Sequence, residues 1–70
     1  MEEKTKVKKM DPLGGATRVT LENGNIFAVR TKWIKEFGVV QGSEIRIVET
    51  ERDIFLYFGE KILGSYEPKR

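Results

Sequence analysis

The sequence predicts a mostly β domain with one short helix, in the order β-β-α-β-β and a further C-terminal strand. Three observations lead there. Asn23-Gly24 stands between "ATRVTL" and "IFAVR", two β-prone runs around a strong hairpin-turn dipeptide. One stretch only, "TKWIKEF", spaces its apolar residues for a helix face. The polar run "TERD" separates "IRIVE" from "IFLYF", again two β-prone runs around a turn.

The elements follow in chain order. Residues 1–10 alternate lysine with small or polar residues and offer only Val7 and Met10 as apolar anchors, and "DPLGG" then breaks regular structure. Residues 1–15 are therefore expected to be a flexible basic arm, residues 16–66 the folded domain, and residues 67–70 a frayed C-terminus. Val19 and Leu21 alternate with Arg18, Thr20 and Glu22 in the first strand, and Ile26 to Arg30 make the return strand. Thr31 suits a helix N-cap, because its hydroxyl can accept from a free amide of the first turn. Trp33, Ile34 and Phe37 share one side of a two-turn helix, which Gly38 ends as a left-handed residue. Gly42 turns the chain into a strand with Ile45 and Ile47 on one face. "IFLYF" returns from residues 50–53, with Tyr57 and Phe58 on opposite faces. Lys61 to Tyr66 form the last strand.

"IFAV" is apolar at four consecutive positions, so alternation alone does not say which of its side chains face the core. A two-residue Asn23-Gly24 turn buries Val19, Leu21, Ile26 and Ala28, and exposes Phe27. A three-residue loop, Glu22-Asn23-Gly24, with Gly24 as a left-handed bulge residue, pairs Val19 with Phe27, Leu21 with Asn25 and Thr17 with Val29. The core side then holds Val19, Leu21, Phe27 and Val29, while Arg18, Thr20, Ile26, Ala28 and Arg30 share the other side. The second register buries more apolar area and is preferred. A one-residue slip would reverse every side chain.

Seventy residues make one small domain. A chain this short buries little apolar area by itself, and without cysteine it has no disulfide to compensate. It also lacks histidine, the commonest metal ligand. Association is the remaining source of stability, so a homodimer is expected. No metal or other cofactor is expected. Without His or Cys, and with no paired-acid, P-loop or dinucleotide motif, no enzymatic activity is expected either. No apolar run approaches a membrane span or a signal-peptide core, so the expectation is a soluble, cytoplasmic protein with no membrane partner.

Net charge is +2 but uneven: residues 1–38 carry eight Lys/Arg against five acids, and residues 39–70 carry five against six. An anionic partner would meet the N-terminal half. Trp33 has two readings, an exposed base-stacking ring or packing beside Phe37, and packing is preferred.

This order of parts resembles the AbrB/MazE-like swapped-hairpin DNA-binding family of the transition-state-regulator type. That family shows a hairpin ending in Ile-Pro, a short helix, Leu-Gly-Ile, a Gly-Asp turn and a strand. Val29 matches the Ile before the proline, Trp33 and Phe37 the apolar helix positions, and Gly38 the helix-ending glycine. Gly42 matches the turn glycine, and Ile45 and Ile47 the strand that follows. The match covers roughly residues 17–58. Arg30 stands where the family has proline, Ile26 or Asn25 where it places a DNA-contacting arginine, and Ser43 where it has aspartate. Arg18 and Lys35 fall near basic positions of the pattern.

The resemblance implies an interleaved homodimer whose hairpins exchange to form one swapped-hairpin barrel. It also implies a double-stranded-DNA partner at the nucleoid and a role in transcription regulation. The expected DNA contacts are Arg18 and Arg30 of the hairpin, Lys32 and Lys35 of the helix, and Lys6, Lys8 and Lys9 of the arm. The alternatives are an antitoxin-like module that captures a small protein partner, and an RNA-binding small β-barrel.

Overall fold

The chain forms β1 (Glu2–Leu13), β2 (Ala16–Leu21), β3 (Ile26–Arg30), α1 (Thr31–Phe37), β4 (Glu44–Glu49), β5 (Ile54–Phe58) and β6 (Lys61–Tyr66). These come from a computed structural model that describes residues 1–67. All six strands join one antiparallel sheet in the order β3-β2-β1-β4-β5-β6. The sheet curls into a nearly closed, barrel-like shape, so the mostly β class with one short helix is as expected.

The start of the chain is not. Residues 1–15, expected to be a flexible arm, supply the central twelve-residue strand. The first half of β1 pairs with β4, from Glu2↔Val48 to Lys6↔Glu44, and the second half pairs with β2, from Val7↔Leu21 to Leu13↔Ala16. At the handover, the Val7 amide donates to the Ser43 carbonyl (2.9 Å) and the Gly42 amide to the Val7 carbonyl (2.8 Å). Ladders on both edges thus order a strand that carries almost no apolar residues.

A bulge explains why the strand is hard to read from its sequence. Val7 opposes Leu21 and Lys9 opposes Thr20, which leaves Lys8 as the extra residue. Inward-facing positions are odd-numbered before Lys8 and even-numbered after it, so Val7 is buried and Met10 packs against the core. No single period of two runs through the segment. The folded unit therefore begins at β1 rather than at residue 16. At the other end, the fray expected for residues 67–70 lies, from residue 68 on, outside the described residues.

The core is drawn from every strand: Val7 from β1, Val19 and Leu21 from β2, Val29 from β3, Ile45 and Ile47 from β4, Leu56 from β5 and Leu63 from β6, with Ile34 of α1 and Val39 after it. Each such burial contributes about 1.5–3 kcal/mol. One chain's own strands cover this core.

The helix packs against β2, β3 and β6. Thr31 does not cap it. Arg30 holds the cap position with extended backbone and no side-chain hydrogen bond. The Thr31 hydroxyl instead donates to the Gly14 carbonyl (2.8 Å), so the proton it shares with the Thr17 hydroxyl (2.9 Å) comes from Thr17. That arrangement satisfies Thr17, the one buried polar residue among the described residues, and ties the β1–β2 turn to the helix start. Gly38 ends the helix as expected, left-handed at φ 73°, with its amide donating to the Ile34 carbonyl.

The edges β3 and β6 meet across a seam. Phe27 of β3 packs on Tyr66 of β6 with ring centroids 4.9 Å apart, and the Tyr66 hydroxyl donates to the Ala28 carbonyl at 2.7 Å. Tyr66 lies over Gly64, where a Cβ would come within 2.6 Å of the phenol oxygen. Burial pushes the Tyr66 phenol above its usual pKa.

Candidate nucleic-acid interface

The hairpin of β2 and β3 takes the three-residue loop. The Gly24 amide donates to the Leu21 carbonyl (2.9 Å) and the Leu21 amide to the Asn25 carbonyl (2.8 Å), with Gly24 at φ 94°. Asn23 belongs to the turn: its side-chain carbonyl accepts from the Asn25 amide (3.0 Å), and its amide group donates to Glu3 (3.0 Å). The register is Thr17↔Val29, Arg18↔Ala28, Val19↔Phe27 and Thr20↔Ile26, the preferred one. Val19, Leu21 and Val29 are buried, Phe27 is half-buried against Tyr66, and Arg18 and Arg30 are exposed.

Adding β1 makes a three-by-three outer face. Across β1, β2 and β3 its rows read Lys9–Thr20–Ile26, Asp11–Arg18–Ala28 and Leu13–Ala16–Arg30. Arg18 and Arg30 are diagonal neighbours, at a spacing of about 7–8 Å between backbones. Lys8 is exposed at the adjoining bulge. Ala16, Ala28 and Thr20 lie between the cations, and Leu13 and Ile26 are exposed at the corners of the face.

One acid sits among them. Asp11 Oδ2 lies 3.8 Å from Lys9 Nζ and 3.9 Å from Arg18 Nε, and it is shielded from solvent with no hydrogen-bond partner. These are weak, partly exposed ion pairs. The acid is held by charge alone, and it competes with any anion for Lys9 and Arg18.

The other expected contact residues are elsewhere. Lys6 lies on the outer face of the β1–β4 half, opposite Glu44. Lys32 and Lys35 are exposed on α1, with Lys32 Nζ 5.0 Å from the Trp33 ring centre. Trp33 is half-buried and stacks on Phe37 at 5.3 Å, which favours packing over base stacking. Thus Lys9, Arg18 and Arg30 share one face with Lys8 at its edge, while Lys6, Lys32 and Lys35 do not. As strand residues, Lys6, Lys8 and Lys9 reach only as far as their side chains, not as a free arm.

Sequence reasoning missed Asp11 as part of this face, and of the outer face of β4–β6 it reached only the opposite facing of Tyr57 and Phe58. There Val48, Phe55, Tyr57 and Ile62 lie side by side, with Arg46 4.5 Å from the Tyr57 ring centre. The unbroken apolar run "IFLYF" hid it, because the run reads the same whichever residues point out. No family model matches this chain, and no curated protein or solved structure matches it. Among the described residues, no helix is long and apolar enough to cross a membrane.

Proposed function

We propose that the outer face of β1, β2 and β3 binds double-stranded DNA, and that the protein acts as a DNA-binding regulator of transcription. One observation carries the proposal: the three-residue loop turns Phe27 and Val29 inward and leaves Arg18 and Arg30 on one solvent face, to which the β1–β2 register adds Lys9. Exposed cations on a two-stranded ribbon suit the phosphate backbone, where affinity comes from released counterions. The charge bias toward the N-terminal half supports the same reading.

Association of two copies by hairpin exchange is part of the proposal. Among the described residues, β3 and β6 are the edges of the sheet, and the Tyr66 side chain bridges them without a backbone ladder. Such edges are where a second copy's strand would pair.

The test is fluorescence anisotropy of the purified chain on duplex DNA, single strands and RNA at several salt concentrations. Four phosphate contacts, from Lys8, Lys9, Arg18 and Arg30, give a log–log salt slope of about −3.6 for one barrel and about −7 for two. Sedimentation equilibrium fixes which slope applies. Unchanged duplex affinity in an Arg18→Ala/Arg30→Ala variant, or affinity independent of salt, sinks the proposal. Preference for structured RNA over duplex DNA at every salt would replace the partner.

A further inference from the structure

The outer face of β4–β5–β6 is apolar where water would normally meet polar side chains. An antiparallel sheet with one face on a core usually alternates apolar inside with polar outside. Here the row across β1, β4, β5 and β6 reads Lys4–Arg46–Tyr57–Ile62, and the next reads Glu2–Val48–Phe55–Ser65. Val48, Phe55, Tyr57 and Ile62 therefore form one contiguous patch, the first three half-buried and Ile62 52% exposed. Among the described residues, no second layer of the chain covers it.

The rings and charges are arranged in a particular way. Phe55 and Tyr57 point the same way from β5, their centroids 6.5 Å apart and their planes tilted by 48°, so neither ring is stacked on the other. The Arg46 guanidinium lies 4.5 Å from the Tyr57 ring centre. Lys4 is directly opposite Arg46, and Glu2 and Glu44 line the same hollow beside them. Glu2 lies 3.8 Å from Arg46, a weak and partly exposed ion pair. A phosphate in place of these weak carboxylate contacts would meet both cations, and the rings one strand further on would meet the attached bases.

We infer that this face is a base-stacking platform for single-stranded nucleic acid, distinct from the cationic face on β1–β3. Aromatic rings on an open sheet beside cations that track a backbone are what sequence-tolerant single-strand binding needs. In a duplex the base faces are already stacked and out of reach of such rings. A second copy docked on this patch would have to bury Lys4 and Arg46, which carries a desolvation cost that a phosphate avoids by pairing with them. The β1–β3 outer face has no ring, so stacking is confined to this side.

The experiment measures anisotropy of labelled oligothymidylate and oligouridylate on the full chain, which also separates DNA from RNA as the strand. A Phe55→Leu/Tyr57→Leu variant keeps an apolar, β-tolerant face and removes both rings. It is expected to lose roughly 5- to 150-fold in affinity per stacked base. Arg46→Gln is expected to weaken binding and flatten its salt dependence. Duplex affinity, read in parallel, stays within about twofold because phosphate contacts on the other face supply it. Its behaviour tests the duplex proposal separately. Circular dichroism and thermal melting confirm that each variant is folded. Three results overturn the inference: no oligonucleotide binding by the unaltered chain, unchanged binding by the folded double-leucine variant, or conversion of a dimer to a monomer by that variant. The last would assign the patch to a second copy.

Discussion

The two outer faces of the barrel lie on continuous ladders of one sheet, share β1, and differ in that only one carries aromatic rings. On β1–β3, cations share the face with Asp11, with Ala16, Ala28 and Thr20, and with the exposed aliphatics Leu13 and Ile26, and no ring is present. On β4–β6, Phe55 and Tyr57 lie side by side, and the cations sit at the edge on β1 and β4. The inward faces do not differ in this way, since both supply branched aliphatics to one core. Core packing constrains only inward positions, so contrast between outward positions is where binding chemistry can differ without changing the fold.

The largest effect tests whether the halves are one unit. Leu21→Ala in β2 and Leu56→Ala in β5, both fully buried, should each cost about 2–5 kcal/mol in urea unfolding. Each should shift one cooperative transition. Two separate transitions would mean that the halves fold independently and the comparison is between two modules.

Gly64→Ala acts on the β6 side of the seam. Its Cβ would press on Tyr66, and the expected cost is about 1–3 kcal/mol with loss of the Phe27–Tyr66 contact, visible as shifted ring resonances. On the hairpin side, Gly24→Ala must hold a left-handed backbone, at a cost of about 1–2 kcal/mol. If it instead slips the register, Arg18 and Arg30 part and duplex affinity falls with stability. A loss of stability with intact duplex binding would show that the face tolerates a strained loop.

Tyr66→Phe removes one hydrogen bond across the seam and should cost about 0.5–1.5 kcal/mol at neutral pH. The pH dependence has a definite sign. Burial raises the folded pKa of Tyr66 above the ordinary phenol value of 10.0, so the folded state holds the proton more tightly. The stabilisation is fully present below pH 10.0 and is lost as pH rises through the higher folded value. Tyr66→Phe should flatten that alkaline decline in a pH-dependent melting series.

The smallest effect sharpens the cationic face. Asp11→Asn frees Lys9 and Arg18 and should raise duplex affinity by up to about fivefold, the equivalent of about 1 kcal/mol for a partly exposed pair. Stability should hardly change. Single-strand binding on the far face should not respond.

Much of the hairpin was legible from residues 16–30. The loop had only two physically reasonable lengths, and Phe27 decided between them because exposing it beside Arg18 was unfavourable. The helix end at Gly38 was equally legible, since one residue type suits that backbone. The cap at Thr31 was misread because a hydroxyl bonds to whatever the fold brings near. Gly14 and Thr17 come near only after β1 and β2 have paired. Two of the seven expected contact positions, Arg18 and Arg30, ended on one face by local register. Lys9 joined them through long-range pairing of β1.

Local patterning suffices for the element types from β2 onward, the hairpin loop and the uneven placement of charge. All of these follow from interactions between near neighbours in the chain. Only the tertiary structure decided that residues 2–13 are the central strand. Their stability comes from hydrogen bonds to β2 and β4, and the bulge at Lys8 erases the periodicity that would have signalled them. It also decided which side of "IFLYF" faces out, because five consecutive apolar residues acquire an inside and an outside only when β4 and β6 pair beside them.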